Sequence, residues 1–439
     1  NEEQRRKKIL KRFEDSALYS PLKGVNILGT GDIQFGPWKE FIQQEFTVDN
    51  GIYSYDNIDS IPTSSLVPKN YDYELPDYIL QSEYIFTGPV PDSDYKKRVH
   101  VLTLFPDFTA VEELLDLFEK WGVSHENMAR PFIVSNSQEE IAQKIHAIAD
   151  LHDYVEIIPA HVMTPEGVYG GNVRVNYLED FFGSATEHIH AVETGLSADP
   201  TILGLIPELD EMTLLSNADA HSAKLNRIGR EFTSLDIQKR SYEAIVDAIR
   251  TNSVRKTAEF HPTEGRYFLT GHRGGRTRPG NHEKEEYCCF SPSNVPGDDI
   301  CPQCNEELTL GVLQRTFEVS QSQDVDRSLG DGPDRNFVTM VPLVEIVAHA
   351  LQMKTLTAKT VLRTYSKVLD VIGTEVSLWT DDTTLQKLQN SNLKPVLIDE
   401  ITKVYHGNFS FFPGGFDGIY GELQIGETLD FEDISIINS

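Results

Sequence analysis

Short apolar runs alternate with amphipathic stretches from Val25 to about Ile249, the sequence habit of an α/β domain. Thr109 and Glu112 read as a capping box ahead of Val111, Leu114, Leu115 and Phe118, a helical face that stops near Gly122. Ser137 and Glu140 open a second helix, with Ile141, Ile145 and Ile148 as its core face. Residues 25–28, 155–158, 189–192 and 214–215 lie between such helices and are short enough to be buried strands. After Thr251 the chain turns to Gly, Arg and His, then to a cysteine cluster, then to a linker around residues 321–333. A further globular stretch follows, with Val361, Tyr365, Val368 and Ile372 on one helical face ended by Gly373. A shorter helix runs through Leu397, Ile401 and Val404. The expected division is 1–254, 255–325 and 334–439, with no internal repeat.

Composition adds limits to this picture. The 439 residues are 39% hydrophobic and 24% charged, and no apolar run nears the roughly 20 residues that span a bilayer, so a membrane role is not expected. The start, residues 1–12, is basic and polar without an apolar signal core, and the expectation is a cytoplasmic protein. The formal charge of −29, from 39 basic and 68 acidic residues, ordinarily opposes a nucleic-acid partner. Basic residues are nonetheless dense from 250 to 284, where Arg255, Lys256, Arg266, Arg273, Arg276 and Arg278 fall together. Of these, Arg273, Arg276 and Arg278 are the candidate DNA-phosphate contacts.

The informative feature is where possible metal ligands sit relative to the strands. Asp32 follows the first strand, Glu83 ends an apolar run, and His100 lies within another. His161 follows residues 157–160, Glu193 follows Ala191 and Val192, and Asp219 with His221 follows residues 214–218. In an α/β barrel the carboxyl ends of the strands share one face, so residues nearly 190 positions apart would converge there. Carboxylates mixed with imidazoles suit borderline divalent ions, and two or more such ions can clamp a phosphodiester.

Ser-Asn-Ala-Asp-Ala-His-Ser around Asp219 and His221 resembles the final metal motif of the polymerase-and-histidinol-phosphatase (PHP) superfamily, and Pro159-Ala160-His161 resembles its third. Gly29 to Asp32 with Trp38, Ser82-Glu83, Arg130-Pro131, Glu193 to Ser197 and Asp199-Pro200 are similar to the endonuclease Q family within it. That resemblance implies a distorted β/α (TIM-like) barrel, a small zinc-binding module and a mainly helical C-terminal domain. It also implies a DNA repair endonuclease that cuts 5′ of deaminated bases (uracil, hypoxanthine, xanthine) or abasic sites in duplex DNA. Asp32, Asp219 and His221 would be catalytic, and together with Glu83, His100, His161 and Glu193 would hold two or more divalent ions (Zn²⁺, Mn²⁺ or Mg²⁺). Two departures stand out: the superfamily's opening His-x-His pair is absent, and Phe35 stands where the family has a histidine. Either the given sequence lacks an N-terminal part or the metal site is depleted.

All four cysteines fall between Cys288 and Cys304, and Cys301-Pro302-Gln303-Cys304 has the spacing of a zinc knuckle. Cys288 and Cys289 are adjacent, and His272 and His282 are available if one of that pair does not coordinate; the expected structural Zn²⁺ set is Cys288, Cys289, Cys301 and Cys304. The glycine-rich run 413–421 lacks the Lys-Ser/Thr of a phosphate loop and resembles the turn that closes the family's C-terminal domain. Two rival readings remain, a phosphatase of small phosphomonoesters and a DNA-binding protein with a decayed site.

Overall fold

Strands and helices are interspersed through the first 260 residues, with four strands in succession before the third helix. A computed structural model describes residues 2–57, 66, 74–125, 130–275, 283, 285–429 and 431–438. The order begins α1 (Glu2–Lys23), β1 (Ile27–Gly29), α2 (Gly36–Glu45), β2 (Phe46–Asp49), β3 (Ile52–Tyr55), β4 (Asp77–Gly88) and β5 (Lys97–Phe105). It continues with α3 (Phe108–Trp121), β6 (Phe132–Val134), α4 (Gln138–Ala149), β7 (Glu156–Pro159), α5 (Leu178–Phe182), β8 (Ala191–Glu193) and α6 (Pro200–Leu203). Next come β9 (Thr213–Leu215), β10 (Phe232–Leu235), α7 (Tyr242–Arg250) and β11 (Val254–Phe260). Then follow β12 (Thr270–Arg273), β13 (Tyr287–Phe290), α8 (Val312–Ser322), β14 (Phe337–Met340) and the helices α9 (Leu343–Ala350), α10 (Lys359–Ile372), α11 (Glu375–Thr380), α12 (Thr384–Gln389) and α13 (Pro395–Tyr405). Three short strands close the chain, β15 (Phe409–Phe411), β16 (Leu423–Ile425) and β17 (Ser435–Asn438).

The local signals explain these starts and stops. Ser137 caps α4, its hydroxyl accepting from Glu140 N at 3.1 Å, while Glu140 Oε2 accepts from Asn136 N at 2.8 Å. The cap of α3 differs from the expected box. Asp107 holds Ala110 N at 3.0 Å, so the helix opens ahead of Thr109, because a carboxylate at that distance satisfies the orphan amide. Gly122 ends α3 in the left-handed region at φ 68°.

The sheets depart from a closed ring of parallel strands. A seven-stranded sheet runs β2-β3-β4-β5-β7, with β1 and β6 both paired parallel to β4. The pairs β4–β5 and β5–β7 are antiparallel. Strands β8 and β9 form a separate parallel pair, and β10-β11-β14 form a third sheet. Among the described residues no continuous barrel of hydrogen-bonded strands closes. The physical reason is the short connection between two long strands: β4 and β5, joined by residues 89–96, pair as a hairpin, whereas a parallel barrel needs a helical crossover there. The mixed α/β class stands, and the end of β7 still meets the end of β8, where Val162 N donates to Glu193 O at 3.1 Å.

Two large cores hold the chain. The first gathers Phe13, Tyr78, Leu80, Phe86, Val101, Leu114, Ile145, Phe181, Leu203 and Phe268. The second is built on Val344, Val361, Tyr365, Leu378 and Ile401, and it takes in Leu22 from α1. The helix face expected at Val361, Tyr365, Val368 and Ile372 is buried as read. No helix among the described residues is long and apolar enough to cross a membrane.

Candidate metal centre and cleft

The carboxyl ends of β1, β7, β8 and β9 and the middle of β4 open into one cleft of about 1540 Å³, lined by Asp32, Glu83, Arg130, His161, Glu193, Asp219 and His221. His100 lies just behind it, opposite Ile85 in the β4–β5 register and therefore diagonal to Glu83 on the same sheet face. His100 Nδ1 is 2.9 Å from Glu83 Oε1, and His161 Nε2 is 3.9 Å from the same oxygen. Glu83, His100 and His161 thus present one ligand atom each within 4.8 Å of one another.

Backbone strain aims three of these side chains. Asp32, His161 and Asp219 have φ of 39°, 31° and 40°, a region non-glycine residues rarely occupy and one that collects at functional sites. Each is held there. Trp38 Nε1 donates to the carbonyls of Thr30 and Gly31, both at 3.1 Å, and so fastens the loop before Asp32. His161 N donates to Glu193 Oε2 at 2.9 Å, and Thr164 Oγ1 sits 2.6 Å from His161 Nδ1, which leaves Nε2 facing Glu83. Gly195, at φ 72°, lets the β8 turn press against His161: a Cβ there would lie 2.5 Å from the His161 Cβ.

The electrostatics is that of carboxylates crowded for a cation. Burial, with Asp219 and Glu83 nearby, pushes Glu193 up to about 8. Burial raises Asp32 as well, with Glu83 adding to it. Glu83 goes the other way: burial pushes it up, but His100, Arg130 and His161 outweigh that and hold it below the ordinary carboxylate range. Asp219 is likewise held low against its burial by His221, His161 and Arg130. Burial and the neighbouring His100 lower His161, which favours the neutral form in which an imidazole ligates. Glu83 Oε1 and His100 Nδ1 are both buried and neither has a hydrogen-bond partner of good geometry. Such orphaned atoms beside two imidazoles and extra carboxylates fit a divalent transition ion.

Sequence reasoning had passed over Arg130 as a functional group. Its Nε lies 2.6 Å from Glu83 Oε2 and its Nη2 3.8 Å from Asp219 Oδ1, so one guanidinium bridges two candidate ligands. The Arg-Pro pair ahead of β6 was the available signal, since proline fixes the backbone from which the side chain reaches back. Phe35, by contrast, is buried in the cleft wall and offers no ligand.

The cysteines sort by strand register. His272 and Cys288 are cross-strand partners on β12 and β13, so they share a face, whereas Cys289 pairs with Gly271 and faces the other way into the first core. Cys288 Sγ is 3.5 Å from Cys301 Sγ, and Cys304 Sγ is 3.3 Å from His272 Nδ1. The ligand atoms of His272, Cys301 and Cys304 lie within 4.8 Å of one another, and Cys288 Sγ adjoins that group through Cys301, whereas Cys289 faces away.

Of the basic residues singled out, Arg276 and Arg278, like His282, lie outside the described residues. Arg273 is at the end of β12, its backbone N donating to Asp417 Oδ2 at 2.9 Å. The cleft itself carries Lys8, Arg12, Arg240, Arg255 and Lys256 besides Arg130, cations that offset the carboxylates Asp32, Glu83, Glu193, Asp219, Glu231 and Asp382 there in a chain of charge −29.

No family model matches the chain. It is 30% identical over 276 residues to the uncharacterized protein YqxK of Bacillus subtilis, which covers 61% of this chain and 60% of that one. It is 27% identical over 238 residues to the uncharacterized protein MJ0043 of Methanocaldococcus jannaschii, covering 53% and 28%. The chain therefore spans less than two thirds of the length of either relative. Two solved structures are similar over nearly the whole fold. One is the lesion-specific endonuclease PfuEndoQ of Pyrococcus furiosus, with a TM-score of 0.72, 24% identity, and coverage of 95% of this chain and 91% of that one. The other is endonuclease Q in complex with a 27-mer duplex substrate bearing an abasic lesion at the active site, with a TM-score of 0.73, 25% identity, and coverage of 95% and 92%.

Proposed function

We propose that this chain, whose likeness to endonuclease Q over 95% of its length supports that family, is a metal-dependent DNA repair endonuclease acting on duplex DNA at damaged bases. The observation that carries the reading is the convergence of Asp32, Glu83, His161, Glu193 and Asp219 on one cleft of about 1540 Å³. Glu83, His100 and His161 would hold one divalent ion, with Asp32, Glu193, Asp219 and His221 available to a second. When bound, such ions supply Lewis acidity for phosphodiester hydrolysis. The cut would fall 5′ of a deaminated base (uracil, hypoxanthine or xanthine) or of an abasic site.

The chain's own residues divide the remaining work. Lys8, Arg12, Arg240, Arg255 and Lys256 on the cleft wall suit phosphate contacts, which fix the register of a duplex without reading its sequence. Arg130 balances Glu83 and Asp219, and a guanidinium at that edge is within the cleft where a scissile phosphate would lie. Thr164 holds the His161 tautomer that offers Nε2. His272, Cys288, Cys301 and Cys304 would bind one structural zinc, a closed site with no open position for chemistry, in a module of residues 255–325 between the catalytic unit, 1–254, and the C-terminal one, 334–439.

A second reading, DNA binding without cleavage, draws on Phe35 and on the Arg130 bridge, which already neutralises part of the carboxylate cluster. The test separates the two. A labelled duplex bearing one uracil, hypoxanthine or abasic site is incubated with Mg²⁺, Mn²⁺ or Zn²⁺ and either the parent or Asp219→Asn. Nicking by the parent and its loss in the variant, with DNA affinity retained, is the expected outcome. Equal nicking by both would misassign Asp219, and binding without nicking by the parent would favour the second reading.

A further inference from the structure

Another cluster of ligating side chains lies outside the cleft, none of its members among the cleft-lining residues. The last turn of α4 meets the 3₁₀ turn Gly183–His188, and there His146 Nδ1 lies 2.8 Å from His188 Nε2, with ring centroids 4.9 Å apart at 82°. Glu187 Oε1 is 3.8 Å from His146 Nδ1 and 4.0 Å from His188 Nε2. These three atoms lie within 4.8 Å of one another.

We propose that His146, Glu187 and His188 form a binding site for a divalent transition ion of the zinc class, independent of the cleft and of the cysteine cluster. Two imidazoles and a carboxylate are a ligand set that zinc, nickel and copper accept, and three protein ligands leave one position for water. The geometry needs little adjustment. Zinc–nitrogen bonds of 2.0–2.1 Å in a tetrahedral site hold the two nitrogens about 3.3 Å apart, so the rings separate by roughly half an ångström. The second side of His146 is already fixed, because Nε2 is 3.0 Å from Ser184 Oγ and Nδ1 is left to face the site. The side chains of His146 and His188 are 30% and 29% exposed and that of Glu187 is 69%, so an ion reaches them from solvent. The consequence is a further tie between α4 and the turn that follows α5, added to the ring pair, the His146–Ser184 contact and the shared core around Ala142, Ile145 and Ala185.

The experiment is zinc titration of the full chain, first stripped with a chelator, against a chromophoric competitor. His188→Asn and His146→Gln are each expected to bind one equivalent fewer than the parent, and Glu187→Gln to bind that equivalent at least tenfold more weakly. In parallel, the ring proton resonances of His146 and His188 in the parent should shift on zinc addition, a readout that needs no variant. Unchanged stoichiometry in both histidine variants, or ring resonances of these two residues that do not respond to zinc, overturns the proposal.

Discussion

Lys23 is the last residue of α1, yet its ammonium group ends in the second core. Its Nζ donates to Glu375 Oε1 at 2.6 Å and to Leu225 O at 2.8 Å, and both side chains are within 1% of full burial. Replacing Lys23 by Met removes the cation and leaves a buried carboxylate. Breaking a buried pair from one side costs about 3–5 kcal/mol, because the stranded charge has lost its partner but not its desolvation. Glu375 retains two donors, Leu343 N at 2.9 Å and Tyr365 Oη at 3.0 Å, which places the expected loss near the lower end, about 3 kcal/mol, or roughly a hundredfold in the local opening equilibrium. A chain of this size with two large cores need not unfold in one step, so the assay is native-state hydrogen exchange of the α10 and α11 amides rather than a melting point. The double variant Lys23→Met with Glu375→Gln removes both charges; the amide oxygen can accept from Leu343 N and the amide nitrogen donate to a turned Tyr365 hydroxyl, and it should recover much of the loss. A single variant that costs less than about 1 kcal/mol, or a double variant no better than the single, would refute the reasoning.

Cys304→Ser should remove one zinc per chain and lower thermal stability, whereas Cys289→Ser should leave zinc content unchanged because that thiol faces the first core; atomic absorption on purified protein decides. Gly195→Ala puts a methyl group 2.5 Å from the His161 Cβ at φ 72°, and a destabilisation of about 1–3 kcal/mol with weaker metal binding is expected, read by denaturant titration and metal competition. Glu259 is fully buried among Ser216, Thr257 and Thr194, and burial pushes it up to about 7. Its folded value lies above the unfolded one of about 4.3, so the stability it contributes is complete below that pH and is lost as pH rises through 7. Glu259→Gln should therefore be more stable than the parent at pH 8 by on the order of 3 kcal/mol and lose most of that advantage at pH 5; equal stability of the two at both pH values would contradict a raised value.

The α4 cap at Ser137, the stop at Gly122, the buried face of α10 and the mixing of strands and helices were legible in the sequence, because each depends on neighbours within a turn or two. So was the meeting of Asp32, His161, Glu193 and Asp219 at one cleft, since all follow short apolar runs. Which atoms meet was decided elsewhere. The β4–β5 hairpin, not a parallel crossover, sets His100 diagonal to Glu83, and register on β13 turns Cys288 toward Cys301 and Cys289 away. Arg130 reaches Glu83 across 47 positions of chain, and His146 finds His188 across 42. Local pattern follows from sterics and hydrogen bonding along a few residues, which the sequence states directly. A charge partner or a fourth ligand depends on strand register and on how distant faces pack, and those are properties of the assembled fold.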